Sequence, residues 1–175
     1  MTTVSYNGTF ISHNLGDGES VTVPSGEVWN VNITTFPKDY FRINGDVVMA
    51  GDSVQGAGGW YSWETVFAGG DTLKKDGSNS RVALVKGHEV SSTVDNTVVS
   101  ETLNDGQSLS PATGEVWEVT ISAHGYDRLK VNGNSWKGDA NNLPMDVAHT
   151  YLDENDTVSY SGNAGRVAHF GGFKV

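Results

Sequence analysis

The chain repeats itself, and the repeat limits what it can fold into more than any other feature. Leu15-Gly16-Asp17-Gly18-Glu19-Ser20 lies 88 residues before Leu103-Asn104-Asp105-Gly106-Gln107-Ser108, and Gly26-Glu27-Val28-Trp29 falls at the same offset on Gly114-Glu115-Val116-Trp117. The register runs on through Val31/Val119, Ile33/Ile121 and Asp39/Asp127 to Asn44-Gly45 and Asn132-Gly133, so that 13 of the 31 positions from 15 to 45 are identical to their matches. Average residue usage would give about two. Further on the offset falls to 85, pairing Asp71-Thr72 with Asp156-Thr157 and Arg81-Val82-Ala83 with Arg166-Val167-Ala168. The first copy therefore carries three extra residues, placed near the run from Gly56 to Trp63. A register that holds, slips once and holds again is the pattern of a duplicated domain that has diverged in a loop. Two modules are expected, 1–88 and 89–175, with the boundary near His88 to Ser92. Modules of that length bury roughly 60–65% of the surface their unfolded chains expose, so packing against the twin or a neighbouring subunit would add stability.

Both copies read as strands. In the first, Ser20–Val23, Val28–Thr34, Phe41–Ile43, Val47–Met49, Tyr61–Phe67, Thr72–Lys74 and Arg81–Val85 are short runs rich in β-formers. Between them stand Asp-Gly at 17–18, Pro-Ser-Gly at 24–26, Asn-Gly at 44–45, Gly-Gly at 69–70 and Asp-Gly at 76–77, all turn signals. No window carries apolar residues at helical spacing. The alternation from Val28 to Ile33 puts Trp29, Val31 and Ile33 on one face, and its counterpart does the same for Trp117, Val119 and Ile121. The expected fold is all-β: two tandem β-sandwich modules, jelly-roll-like, of about seven or eight strands each, arising from an internal duplication.

Charge and composition narrow the function. The net charge of −10, with only 11 Lys and Arg in 175 residues, argues against neutralising nucleic-acid phosphates or anionic lipid headgroups. An acidic surface also suits a halophilic source. There is no cysteine, hence no disulfide or thiolate metal site. The start, Met1-Thr2-Thr3-Val4, lacks a basic and an apolar signal region, and no stretch reaches the roughly 18 apolar residues of a membrane span. Synthesis in the cytoplasm is the expectation.

The succession Val23-Pro-Ser-Gly-Glu-Val-Trp29, an alternating strand, Arg42-Ile-Asn-Gly45, Gly69-Gly-Asp-Thr-Leu73 and Val82-Ala-Leu-Val85 resembles β-sandwich modules of virion structural proteins. Such modules occur in head-decoration, turret, tail and fibre components of tailed viruses of bacteria and archaea. The second copy repeats the scheme in Thr113–Trp117, Lys130–Gly133, Asn155–Val158 and Phe170–Val175, so the resemblance spans nearly the whole chain. It implies a non-enzymatic virion protein whose partners are itself, as a homo-oligomer, and other virion proteins. Two modules with neither a coiled-coil stalk nor a collagen-like repeat suit capsid decoration or a vertex turret better than a fibre. The rival reading is a lectin-like or host-receptor-binding β-sandwich that takes a surface glycan.

Candidate site residues follow from the repeat and from where it breaks. Trp29 and Trp117, retained in both copies on a face with Val and Ile, are expected to anchor the core. Arg81 and Arg166, which could bind a carboxylate or phosphate ligand bidentately, are expected instead to pair with an Asp or Glu of their own modules, Glu27 and Glu115 being candidates, and are grouped with the core. Trp60, Tyr61 and Trp63 follow the glycine-rich stretch unique to the first copy. They are the candidate partner-binding residues, as exposed aromatics on a framed loop anchor interfaces, while the competing reading has Trp63 in a strand facing the core. The carboxylates of Asp17/Asp105 and Asp71/Asp156 sit in turns that want Asp for backbone reasons, without the spacing of a calcium loop. His13, His88, His124, His149 and His169 are scattered, with no metal motif, nucleophile elbow or phosphate loop around them. No catalytic residue, metal site or cofactor is expected.

Overall fold

The computed structural model describes residues 6–36, 38–49, 60–77, 81–90, 97–137 and 145–175. They form sixteen strands in four antiparallel sheets of four, and there is no α-helix among them. None of them offers a helix long and apolar enough to cross a membrane. The first eight strands are β1 (Tyr6–Leu15), β2 (Ser20–Thr22), β3 (Val28–Thr35), β4 (Tyr40–Ile43), β5 (Asp46–Met49), β6 (Tyr61–Ala68), β7 (Thr72–Asp76) and β8 (Ala83–Val90). The second eight are β9 (Val98–Asn104), β10 (Ser108–Leu109), β11 (Val116–Ala123), β12 (Arg128–Val131), β13 (Asn134–Lys137), β14 (Asp146–Asp153), β15 (Val158–Ser161) and β16 (Val167–Lys174).

In the first set the sheets run β1-β8-β3-β6 and β2-β7-β4-β5; in the second they run β9-β16-β11-β14 and β10-β15-β12-β13. The two sets thus pair in the same order. Within the first, β1 pairs with β8, β2 with β7, β3 with β6 and β4 with β5, as if one long hairpin had been rolled up. Even the irregularities correspond: β4 slips register against β5 between Phe41 and Arg42, and β12 slips against β13 between Leu129 and Lys130. The three surplus residues of the first copy fall between β5 and β6, mostly in 50–59, outside the described residues.

Turn chemistry explains the hairpins. Asn44 and Asn132 are the two non-glycine residues of positive φ among those described, at 54° and 53°, each followed by a glycine at 92° or 80°. Asn tolerates that region because its short amide bonds nearby groups. Here Asn44 Nδ2 donates to Asp71 Oδ1 at 2.9 Å and Asn44 Oδ1 accepts from Thr72 N at 2.8 Å. Asn132 makes the same two bonds, to Asp156 Oδ1 at 3.0 Å and from Thr157 N at 2.8 Å.

Each pair of sheets closes a hydrophobic core. Trp29, Val31 and Ile33 of β3 meet Phe41, Ile43 and Leu73 from the opposing sheet, while Asn30 and Asn32 point outward, as the alternation predicts. Trp117, Val119 and Ile121 of β11 pack with Leu129, Val158 and Tyr160 in the same way. Both Trp rings are buried, and each indole donates to a carboxylate two residues back, Glu27 at 2.7 Å and Glu115 at 2.9 Å. A buried indole N–H needs such an acceptor.

Two buried acids organise the matching turns differently. Asp39 faces Lys75 Nζ at 3.7 Å, both fully buried. At the corresponding places Asp127 accepts from the Tyr160 hydroxyl and lies 3.3 Å from Arg166 Nη1. Burial, with the Asp127 carboxylate alongside, raises the Tyr160 phenol far above its usual range, so it remains a donor.

The structure extends the expected strand list. β1 was not among the expected strands, and β8 begins at Ala83 rather than Arg81 and runs through His88 to Val90. The segment from Tyr6 to Leu15 lacks a clean apolar alternation, and its pairing slips between Tyr6 and Phe10.

Candidate interaction surfaces

The seam between the two sets of strands is the first surface. Strands β5 and β6 lie against β9, β11 and β16. His169 stacks on Phe67, ring centroids 4.8 Å apart, and its Nε2 is 3.3 Å from the Val66 carbonyl oxygen. Ser100 Oγ donates to Asp71 Oδ2 at 2.5 Å, and Val47 N donates to the Gly165 carbonyl at 2.9 Å. Val28, Val66 and Val90 form one apolar cluster with Val98 and Phe173, and Met145 and Val167 are buried in the first core. Gly171 is required here, since a Cβ would fall on Thr65 Oγ1 and the Val66 backbone. Burial pushes the His169 imidazole down to about 4, against the opposing influence of the Asp71 carboxylate, so it is neutral at ordinary pH.

A cleft of about 500 Å³ opens along this seam. Its walls carry Asn30 and Glu64 from the first set and Glu118, Thr120 and His149 from the second. Asn30 Nδ2 donates to Glu64 Oε1 at 3.0 Å. Glu118 Oε1 accepts from the Tyr151 hydroxyl at 2.9 Å and lies 3.4 Å from His149 Nε2. The bond to Glu118 raises the Tyr151 phenol. Acceptors of this kind beside an exposed aromatic ring suit a hydroxyl-rich ligand. Glu118 and Tyr151 were not singled out in the sequence and His149 figured there only among scattered histidines, although residues 147, 149 and 151 alternate outward on β14 and so could have been read as one face.

The second surface lies at the end of the β1-β8-β3-β6 sheet. Trp60 is 56% exposed and meets Phe36 edge-on, centroids 6.1 Å apart. The Arg81 guanidinium covers the Phe36 ring at 3.4 Å. Tyr61 is half-buried at the margin of the core. Trp63 belongs to the core itself, 3% exposed and edge-on to Phe41 at 5.6 Å, because its place on β6 turns it inward opposite Ile33. The expected trio of partner-binding aromatics is corrected: Trp60 is the member that faces solvent.

The two matched arginines differ, and Arg81 departs from the expected core placement. Arg81 is exposed on Phe36 and is not a core residue. Arg166 is half-buried and pairs with an acid of its own strand set, Asp127, while the named candidate Glu115 is held elsewhere. Glu115 is held by Lys174 Nζ at 2.6 Å as well as by Trp117, and the Lys174 bond lowers its carboxyl below the usual range. The acidic turns bond backbone: Asp17 Oδ1 accepts from Gly77 N at 2.6 Å, Asp105 Oδ1 from Gly162 N at 3.1 Å, Asp71 Oδ2 from Ala68 N at 2.9 Å and Asp156 Oδ2 from Asp153 N at 3.1 Å. No three His, Asp or Glu gather as a metal cluster among the described residues.

No family model, curated protein or solved structure matches this chain.

Proposed function

We propose that this protein is a non-enzymatic structural component of a virus particle, a capsid decoration or vertex turret protein working through subunit assembly. In this reading the two strand sets are tandem jelly-roll-like β-sandwich modules descended from one duplication. Their identical strand orders, joined to the repeat in sequence, support that descent. Jelly rolls are frequent in viral capsids and in lectins. The observation that carries the assembly reading is Trp60, an exposed indole braced by Phe36 and Arg81 at a sheet end, because rigid aromatic anchors of this kind dominate protein interfaces. The test is the composition of purified virus particles. A stoichiometric band of this chain supports the reading, and its absence from particles of the virus that encodes it overturns it.

The second reading, a lectin-like protein, draws on the seam cleft, where Glu64, Glu118 and Asn30 offer bonds to sugar hydroxyls beside Tyr151. Glycan-array binding that Glu118→Gln and Tyr151→Ala abolish would favour it.

A further inference from the structure

The seam between the modules is made of different surfaces on its two sides. The first module gives its edge strand β6 together with β5, and the second gives β9, β11 and β16. At the repeat offsets β5 and β6 correspond to β13 and β14, while β9, β11 and β16 correspond to β1, β3 and β8. One chain therefore carries a second surface of each kind. Such a surface, left open, is where exposed apolar side chains should collect.

They do. Of the six exposed large hydrophobic side chains among the described residues, Phe10 lies on β1 and Val147 and Tyr151 lie on β14, Val147 also lining the seam cleft. Phe10 corresponds to Val98 and Tyr151 to Val66, which meet in one cluster across the seam. Trp60 corresponds to Met145, which is buried in the first module's core. His88, exposed and edge-on to Phe10 at 5.5 Å, corresponds to Phe173 of the same seam cluster. The polar contacts match as well. Ser100 reaches Asp71 across the seam, and their counterparts are Ser12 and Asp156.

One difference sets the spacing. Lys86 stands where the seam has Gly171, so the open face cannot be approached as closely as β6 approaches β16. Its ammonium instead lies 2.6 Å from Ser12 Oγ, at the place Asp156 would reach. Lys86 on one surface is opposite in charge to Asp153, Glu154 and Asp156 on the other, and charge complementarity of this kind fixes orientation.

We propose that β14 and the turn from Asp153 to Asp156 of one chain dock on the outward face of β1 and β8 of a second copy, joining chains head to tail. The proposal rests on the duplication and assembly reading above. A head-to-tail contact is heterologous, closing into a ring or continuing as a filament according to the rotation it imposes.

Two variants of the full chain test it: Phe10→Glu, which breaks one surface, and Tyr151→Glu, which breaks the other, each with its fold verified by thermal melting. By analytical ultracentrifugation the parent chain should sediment as a multimer and each variant as a single chain of 18.7 kDa. An equimolar mixture of the variants should form a species of two chains and no larger, because one intact contact remains. A monomeric parent, a folded variant that keeps the parent's mass, or a mixture that stays monomeric overturns the proposal; the second result would mark a two-fold contact between like surfaces. Particle composition is read separately, so a monomeric chain that is stoichiometric in virions would sink the head-to-tail contact and leave the virion reading standing.

Discussion

The His169 imidazole lies nearly parallel to the Phe67 ring, 4.8 Å between centroids, and joins the two halves of the molecule while fully buried. Burial depresses its folded pKa to about 4, while the unfolded chain titrates near 6.5. The unfolded state therefore binds the extra proton first as pH falls. Stability from this group is present above about pH 6.5 and is lost progressively towards pH 4, by about 3 kcal/mol in all. His169→Leu, which installs the residue found at the matching position 84, should flatten this part of the stability-against-pH curve measured by urea denaturation. An unchanged slope would show that the imidazole does not titrate on unfolding.

Lys75 and Asp39 form a buried ion pair, and removing one partner takes away a buried countercharge. Lys75→Ala should cost about 3–5 kcal/mol. Lys75→Tyr copies the arrangement of Tyr160 with Asp127, and should recover part of that loss in denaturant titrations.

Trp60 and Trp63 separate interface from core. Trp63→Ala should cost about 3–5 kcal/mol in folding stability. Trp60→Ala should stay within about 0.5 kcal/mol of the parent, as surface changes do. If the two variants melt alike, the division between them is wrong.

Gly87 and Gly172 stand at matching places, each where a Cβ would fall on the carbonyl oxygen of the adjoining strand, that of Asn30 or Glu118. Gly87→Ala and Gly172→Ala should destabilise by similar amounts, about 1–3 kcal/mol each from overpacking. Differential scanning calorimetry of both variants checks the parity.

Much of the architecture was legible because turn chemistry is local. Asn-Gly at 44–45 and 132–133, Asp71 and Asp156, and the alternation around Trp29 and Trp117 act through residues near them in sequence. What was not legible depends on pairings between distant strands. Trp60 and Trp63 look alike in sequence, and only the pairing of β6 with β3 decides which turns inward. Arg81 and Arg166 occupy matched positions, yet one meets Phe36 and the other Asp127, since residue 36 is Phe where residue 124 is His. The seam could not be read at all, because Gly171, His169 and Ser100 acquire their roles only once the second set of strands packs on the first.

The pairing of Phe10 with His88 has a consequence for how the chain is made. The earliest described strand, β1, completes its ladder with β8, so some ninety residues must leave the ribosome first. Contacts so distant in sequence slow folding, into the millisecond-to-second range for such topologies. During that interval an unpaired strand edge is exposed on every nascent chain. In a cell filling with copies of this protein, the rate of synthesis and the supply of chaperones would then decide the yield as much as final stability does.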